Sequence, residues 1–234
     1  MTLIESKEQL KNLGYTSFNI KDLDENFYNQ LLQFKCNEEK NIQKYFTQLR
    51  ADSVYNPTGG DSGSNIRIID DFGSFENALH KKEELLNQSL ELQQLWHFIH
   101  YNKLFEMEKF EFKKYYDGIK NLVKYFYDFD DVQEFAIDAN FTYYTKDCFL
   151  KNHSDGTGTG RICAILIYLN ETYDEKDGGL LILDNKETIN PEFGKIAIID
   201  LNSFDIPHMV TKVTGGIGRY AILSFVKRKE DEFK

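Results

Sequence analysis

The sequence is poor in cysteine, in basic residues and in long apolar runs, and each deficit excludes a class of protein. The 234 residues include three cysteines, which lie far apart and form no CxxC pair, so we expect reduced thiols in a cytoplasmic protein rather than a disulfide framework. Acidic residues outnumber basic ones by 38 to 28, for a formal net charge of −10. This balance argues against a nucleic-acid partner, whose phosphates need a basic surface.

Membrane and secretory signals are also missing. No apolar run approaches the roughly 18 residues of a membrane span, and the opening residues MTLIESKEQL lack the basic and apolar regions of a signal peptide. We therefore expect neither a membrane partner nor a secretory leader. What the chain does have is 41% hydrophobic and 15% aromatic residues, enough for a large core in a single domain.

Residues 1–130 are predicted to form a mainly helical support region of that domain. A short strand is expected around residues 15–20, and helices are expected where apolar residues recur at i, i+3, i+4 and i+7. Those residues are Leu23, Phe27, Leu31 and Phe34 behind a capping Asp22; Leu92, Leu95, Trp96 and Ile99; and Phe112, Tyr115, Ile119, Leu122 and Phe126. Residues 56–64 (NPTGGDSGS) are interpreted either as a mobile lid over an active site or as an ordinary surface loop.

Residues 131–234 are predicted to form the β core, because the hydrophobic period changes from helical to strand-like. In residues 133–144 one alternating set is apolar and ends at Tyr143, whereas the other is polar and ends at Tyr144. Such a strand lies between a core and a wet cavity. Short strands follow at 161–170, 180–183, 195–201, 209–213 and 220–226, with glycine-bearing turns between them. This succession predicts a sandwich or jelly roll.

The triplet His153-Ser154-Asp155, at the end of a predicted strand, carries the chemistry together with the later His208. Residues i and i+2 of a strand project from the same side, so His153 and Asp155 can reach one metal ion. Two histidines and one carboxylate are the ligand set of mononuclear iron(II) oxygenases, which leaves coordination positions open. A zinc hydrolase can use the same three ligands.

Arg219 discriminates between these metals. It lies in GRYAIL, where the alternate residues Ala221, Leu223 and Phe225 continue its face, and a guanidinium on an apolar inward face needs an anionic partner. A structural aspartate or glutamate is one candidate partner. The other is the distal carboxylate of a co-substrate, for which arginine provides a bidentate clamp. The second interpretation favours an oxygenase over a hydrolase.

The motifs from Phe135 to Phe225 together resemble the prolyl 4-hydroxylase-like branch of the Fe(II)/2-oxoglutarate dioxygenases, which includes the oxygen-sensing prolyl hydroxylases. In family order they are Tyr144, His153-x-Asp155, Gly160-Arg161, Tyr168-Leu169-Asn170, Gly178-Gly179-Leu180, Gly194, His208-x-Val210 and Arg219-Tyr220. The resemblance implies a mainly β fold with supporting helices, in which a double-stranded β-helix, or jelly roll, is the catalytic core. It also implies Fe(II), 2-oxoglutarate and O2 as cofactors and co-substrates, with ascorbate as an optional reductant.

The same resemblance implies the roles of individual residues. His153, Asp155 and His208 would bind the metal, and Arg219 would complete the catalytic set by binding the C5 carboxylate of 2-oxoglutarate. Tyr168 resembles the tyrosine that hydrogen-bonds the same carboxylate. A further tyrosine of the co-substrate pocket is Tyr143 or Tyr144, and the polar face on which Tyr144 lies favours it.

The implied reaction is hydroxylation of an unactivated C–H bond, in the first place of a prolyl residue in a peptide or protein. A free amino acid or another small metabolite is the alternative substrate, and a non-catalytic cupin-like binding or sensing module is the alternative of another class. Arg161 is a candidate substrate contact, and its competing interpretation is a salt bridge to an acidic residue. His97 and His100 are interpreted as ordinary residues of a helix, because no third ligand is evident nearby.

Overall fold

Four α-helices lie in the described part of the chain, which in this computed structural model comprises residues 2–32, 42–53, 67–88, 90–100, 112–129, 135–156, 160–184 and 186–228. The helices are α1 (Leu3–Leu13), α2 (Glu25–Leu31), α3 (Phe75–Asn87) and α4 (Phe112–Tyr127). The first three begin after a side chain that accepts a hydrogen bond from the backbone N–H three residues further on, namely Thr2, Asp24 and Ser74. The prediction that Asp22 is a cap was wrong, because Asp22 ends a 3-10 turn and Asp24 caps α2 instead.

The apolar stripe predicted for α4 is confirmed, since Tyr115, Ile119, Leu122 and Phe126 are buried. The stripe of α2 is confirmed for Phe27 and Leu31. Phe34, Cys36 and the proposed lid at 56–64 lie outside the described residues, while Cys148 and Cys163 are buried free thiols. No helix within the described ranges is long and apolar enough to cross a membrane.

The strands of the described residues form one antiparallel sheet that contains 12 strands. Along it the order is β1-β10-β7-β12-β5-β4-β6-β11-β8-β9, and β2 and β3 extend from the other edge of β4. This order brings strands that are distant in sequence together around one interior, as a jelly roll requires, and it confirms the predicted fold class. The strands are β1 (Tyr15–Asn19), β2 (Gln48–Ser53), β3 (Arg67–Asp71), β4 (Leu92–His100), β5 (Phe135–Tyr144), β6 (Phe149–His153), β7 (Arg161–Tyr168), β8 (Leu181–Leu183), β9 (Glu187–Ile189), β10 (Lys195–Asp200), β11 (His208–Val210) and β12 (Arg219–Arg228).

The helix predicted around residues 92–99 was wrong, because this segment is the strand β4. One edge of β4 pairs with β2, and the other pairs with β5 near His100 and with β6 near Gln94. A segment buried on both faces shows apolar residues at helical and strand spacings alike, so periodicity alone cannot decide. His97 and His100 therefore point to opposite faces of a strand, which excludes a metal site shared by the two.

Residues 1–130 thus contribute strands as well as helices. The strands β1 to β4 all precede residue 130, and β4 joins the two parts of the sheet by pairing with both β5 and β6. The division of the chain at residue 130 stays a prediction. The pairing shows that the N-terminal segment builds part of the wall that surrounds the interior.

Two hydrophobic clusters lie on opposite faces of the large sheet. In the outer cluster, side chains of α1, α2 and α4 pack against Phe141, Tyr143 and Ile222. The inner cluster lies in the concave interior and includes Trp96, Tyr144, Leu166 and Tyr168. Because alternate residues of a strand point to opposite faces, β5 supplies both clusters. The outer cluster packs helices against the sheet, and the inner one lines the candidate site.

Candidate active site

His153, Asp155 and His208 converge on one point in the interior. His153 ends β6 and His208 begins β11, and the two residues are direct partners in the antiparallel pairing of these strands. Asp155 lies between them: its Oδ1 is 3.7 Å from Nε2 of His153, and its Oδ2 is 3.7 Å from Nε2 of His208. One ligand atom from each residue lies within 4.8 Å of the others. The predicted metal ligands are therefore brought together.

Backbone carbonyls orient both imidazoles. Nδ1 of His153 lies 3.0 Å from the carbonyl oxygen of Lys151, and Nδ1 of His208 lies 3.0 Å from that of Ile206. A carbonyl oxygen only accepts, so we infer that each Nδ1 carries the hydrogen and each Nε2 offers its lone pair. This is the arrangement in which a second hydrogen bond fixes a metal-binding histidine. Burial, followed by the neighbouring His208, lowers the pKa of His153, which favours the neutral imidazole that a metal needs.

A side-chain hydrogen bond ties together the two segments that carry these ligands. The hydroxyl of Ser154, between His153 and Asp155, donates to the carboxylate of Asp205, three residues before His208. The same hydroxyl oxygen accepts a hydrogen bond of 3.2 Å from the backbone N–H of Gly156, whose φ of 73° is accessible to glycine without strain. The chain can thus turn away directly behind the ligands.

The three residues open into a cavity of about 820 Å³, a size typical of small-molecule sites. Part of its wall is apolar, with Leu166, Leu181 and Ile199 among its side chains. Further polar residues lie on the strands β2, β4 and β5. Those that line the cavity are Arg50, Asp52, Ser53, Gln93, Gln94, Asn140 and Thr142.

Arg219 lines the same cavity and is only 2% exposed. Its Nη2 donates a long hydrogen bond of 3.4 Å to the hydroxyl of Tyr168, while its buried Nε has no hydrogen-bond partner. Within the described ranges no carboxylate pairs with it, so the alternative of a structural aspartate or glutamate finds no support there. A buried cation without an anion is strongly unfavourable. The side chain therefore fits a carboxylate ligand that enters the cavity.

The two tyrosines at the end of β5 face opposite ways. Tyr143 points into the outer cluster, where its ring stacks on that of Tyr220 with 4.0 Å between centroids. Tyr144 lines the cavity, and the guanidinium carbon of Arg219 lies 4.9 Å from its ring centroid. Burial raises the pKa of Tyr144 and of Tyr168, so both keep a hydroxyl proton to donate. The placement of Tyr144 agrees with the polar face inferred from the sequence.

Arg161 lies at the beginning of β7 and is half-buried. Its guanidinium carbon is 3.9 Å from the ring centroid of Phe225, which lines the cavity. In the part of the chain that the structure describes, it contacts no carboxylate, so the predicted alternative of a salt bridge is not found there. Its role as a substrate contact stays a prediction.

The residues that β2 and β4 bring to the cavity were not predicted from the sequence as site residues. The indole Nε1 of Trp96 donates a hydrogen bond of 2.9 Å to Oε1 of Gln94, whose amide donates to Oδ2 of Asp52. Arg50 contacts the same Oδ2 at 3.4 Å. An interpretation of residues 92–100 as a strand would have placed Gln94 and Trp96 on one face, because they are two residues apart.

Comparisons with known proteins agree with this geometry. Residues 139–227 match the family model of the 2OG-Fe(II) oxygenase superfamily, and no curated protein matches the chain. Among solved structures, a prolyl-4-hydroxylase from Pseudomonas putida is 13% identical, with a TM-score of 0.59 over 96% of this chain and 98% of that one. A prolyl hydroxylase from Trichoplax adhaerens, solved with a peptide fragment of hypoxia inducible factor, is 14% identical. Its TM-score is 0.59, over 97% of this chain and 90% of that one.

The fold also occurs in enzymes with other reactions. The non-heme alpha ketoglutarate dependent epimerase SnoN from nogalamycin biosynthesis is 9% identical, with a TM-score of 0.55 over 97% of this chain and 83% of that one. At such identities the likeness shows the fold, whereas the matched family model covers β5 from Ala139 onward, the three converging residues and Arg219. Residues 139–227 are thus similar to the 2OG-Fe(II) oxygenase superfamily, and the chain has the fold of the solved prolyl 4-hydroxylases.

Proposed function

We propose that this protein is an Fe(II)- and 2-oxoglutarate-dependent dioxygenase that hydroxylates a C–H bond of a prolyl residue in a peptide or protein. The observation that carries the proposal is the pairing of two sites in one cavity. His153, Asp155 and His208 present three converging donor atoms, and Arg219 offers a buried guanidinium without an anion among the described residues. A zinc hydrolase would use the three donor atoms alone and would leave the guanidinium without an anion.

His153, Asp155 and His208 would hold the ferrous ion on one side and leave its remaining positions to 2-oxoglutarate and O2. When bound, the metal and 2-oxoglutarate supply the oxidising chemistry, in which 2-oxoglutarate and O2 become succinate and CO2 and a substrate C–H becomes C–OH. The protein's own task is to orient these ligands. The carbonyls of Lys151 and Ile206 do so by fixing both imidazole rings.

Arg219, Tyr168 and Tyr144 would bind the co-substrate. The guanidinium would pair with the C5 carboxylate, and the Tyr168 hydroxyl, 3.4 Å from Nη2 of Arg219, would donate a second hydrogen bond to it. Both tyrosines stay protonated because burial raises their pKa. Leu166 and Ile199, which line the cavity, exclude water, and exclusion of water strengthens the interaction between guanidinium and carboxylate.

A prolyl substrate is supported by the likeness to the peptide-bound prolyl hydroxylase of Trichoplax adhaerens. It is also supported by Phe225, an aromatic ring on the cavity wall with Arg161 stacked on it. Arg161 could then donate hydrogen bonds to backbone carbonyls of a peptide. A free amino acid is the second candidate, because Arg50 and Asp52 line the cavity with opposite charges that match an α-carboxylate and an α-ammonium group.

Formation of succinate tests the reaction class. We expect the protein, supplied with Fe(II), 2-oxoglutarate, O2 and ascorbate, to form succinate even without a substrate. Under anaerobic conditions we expect a visible absorption band of the complex of Fe(II) and 2-oxoglutarate. His153→Ala should abolish the band, and Arg219→Ala should raise the 2-oxoglutarate concentration needed to form it. Absence of both succinate and band in the wild-type protein would contradict the proposal and favour a non-catalytic binding module.

Substrate class needs a separate experiment. Proline-containing peptides and free amino acids, incubated in parallel with the same mixture, should be compared by mass spectrometry for the gain of one oxygen atom. We expect the gain on prolyl residues within peptides, with Arg161→Ala reducing it and leaving uncoupled succinate formation unchanged. Oxidation of free amino acids alone would replace the prolyl assignment by the second candidate.

A further inference from the structure

The inner face of the sheet carries a ladder of five stacked side chains, one from each of five neighbouring strands. The members are Tyr168 on β7, Arg219 on β12, Tyr144 on β5, Trp96 on β4 and Arg50 on β2, and the strands adjoin in that order. Arg219 is the direct cross-strand partner of Tyr144, and Arg50 is that of Trp96. We call these five residues the stacking ladder.

The spacing along the ladder is close to the separation of the strands. The guanidinium carbon of Arg219 lies 5.0 Å from the ring centroid of Tyr168 and 4.9 Å from that of Tyr144. Trp96 and Tyr144 are parallel within 4°, with 5.8 Å between centroids, and Arg50 lies 5.7 Å from the Trp96 ring. Adjacent strands are about 4.8 Å apart, so flat side chains that stand upright on neighbouring strands contact face to face.

The order of the strands assigns a side to each contact of Tyr144. β5 lies between β12 and β4, so Arg219 approaches the ring from one side and Trp96 from the other. The Trp96 side chain is itself held in place. Its indole N–H donates a hydrogen bond of 2.9 Å to Gln94, and the Gln94 amide donates one to Asp52. The indole of Trp96 thus packs against one face of the Tyr144 ring, and the guanidinium of Arg219 packs against the other face.

We propose that Trp96 is a positioning residue for co-substrate binding, which holds the Tyr144 ring in place so that Arg219 points at the distal carboxylate. The inference rests on the proposed function, and it extends the co-substrate site by one strand beyond the residues that would contact 2-oxoglutarate. A guanidinium between two aromatic faces loses little orientational freedom when its anion binds. Without the indole, Tyr144 has an open side and Arg219 loses that restraint.

Binding of 2-oxoglutarate to the protein loaded with Mn(II), measured by calorimetry without turnover, tests the proposal. For Trp96→Leu we expect the dissociation constant of 2-oxoglutarate to rise about three- to tenfold, the range of an aromatic and cation–π contact. Trp96→Phe keeps a flat ring and should restore most of the affinity. In the succinate assay the leucine variant should show a higher KM for 2-oxoglutarate with kcat nearly unchanged at saturation.

Phe98→Leu is the matched control. Phe98 lies on β4, two residues from Trp96, and belongs to the same inner cluster with 5.4 Å between the two ring centroids. It has no ring contact with Tyr144 among the described residues, so its loss should lower the melting temperature and leave the affinity for 2-oxoglutarate unchanged. Equal affinities for wild type and Trp96→Leu, or equal losses in Trp96→Leu and Phe98→Leu, would overturn the proposal.

The wild-type protein offers a second measurement that depends on no variant. Trp96 is the single tryptophan of the 234 residues, so tryptophan emission reports on the ladder alone. We expect the emission to change on titration with 2-oxoglutarate in the presence of Mn(II), with the dissociation constant found by calorimetry. Calorimetric binding without a change of emission would overturn the inference, whereas absence of calorimetric binding to the wild type would overturn the proposed function.

Discussion

The two faces of β5 belong to one strand but are built for different purposes. On the outer face Phe141 and Tyr143 pack under the helices among other aromatic rings. On the inner face Asn140, Thr142 and Tyr144 line the cavity. The outer face buries apolar area, which stabilises the fold. On the inner side the buried Oδ1 of Asn140 and Nε of Arg219 have no hydrogen-bond partner among the described residues, which costs stability until a ligand binds.

The first prediction compares truncations on the two faces of the sheet, at Phe141 on β5 and at Leu223 on the neighbouring strand β12. Phe141 is 1% exposed and contacts the rings of Phe46 and Tyr220, so Phe141→Ala should lower the free energy of unfolding by about 3–5 kcal/mol. Leu223 lies on the cavity wall and is half-buried, so Leu223→Ala should lower it by about 1 kcal/mol. Denaturant unfolding of both variants measures the difference, and equal losses would contradict the division between a packed and an open face.

The second prediction concerns pH and a histidine on the outer side of β4. His97 is fully buried beside Phe75 and Tyr143, and neither ring nitrogen has a hydrogen-bond partner among the described residues. Burial, followed by the ammonium group of Lys82, lowers the pKa of His97 to about 3. Below pH 6.5 the unfolded chain binds a proton that the folded protein does not, so stability falls as the pH decreases.

The expected size of this effect is large enough to measure. Between about pH 6.5 and pH 5 the protonation of His97 in the unfolded state should lower the free energy of unfolding by roughly 2 kcal/mol. Other groups titrate in the same range, so the test is the difference between the wild type and His97→Phe, unfolded in denaturant at each pH. The variant should lack this part of the pH dependence. Parallel pH profiles would show that His97 acquires a proton in the folded state.

The third prediction separates stability from ligand binding at Arg219. Replacement of a buried ionic group by an apolar one of similar volume is often neutral or stabilising, so Arg219→Met should keep the free energy of unfolding or raise it by about 1 kcal/mol. In the presence of Mn(II), addition of 2-oxoglutarate should raise the melting temperature of the wild type more than that of the variant, which keeps the three metal donors but lacks the guanidinium. A destabilised variant would mean that Arg219 has a structural anion, which would remove the contrast between the faces.

The residues of the candidate metal site could be identified in the sequence because two of them depend on local spacing. His153 and Asp155 are two residues apart and therefore project from the same side of the chain. His208 is brought to them by one further strand, β11, which pairs with β6. The strand β4 could not be predicted in the same way. Its residues are buried on both faces, so their spacing is compatible with a helix, and what makes the segment a strand is pairing with β2, β5 and β6.

Because of that error, the residues that β2 and β4 contribute to the cavity wall were not predicted. Trp96 was interpreted as a core residue of a helix, and it is indeed buried, yet the strand places it behind Tyr144. Arg50 and Asp52 had no motif of their own, and only the register with β4 brings them to the cavity. Sequence spacing identifies site residues that lie close together in the chain. Site residues that lie on neighbouring strands can be identified only when the strand pairing is known.

The last prediction compares two adjacent tyrosines with the smallest chemical change. The Tyr143 hydroxyl donates a hydrogen bond of 3.2 Å to the carbonyl of Ile217 and accepts one of 3.1 Å from Gln43. Tyr143→Phe should therefore lower the free energy of unfolding by about 1 kcal/mol and leave the affinity for 2-oxoglutarate unchanged. Tyr144→Phe keeps the stacked ring but removes the hydroxyl from the cavity. It should leave stability within about 0.5 kcal/mol and weaken 2-oxoglutarate binding about threefold. Denaturant unfolding and calorimetry on both variants test the pair, and an exchange of the two results would mean that Tyr143 faces the co-substrate.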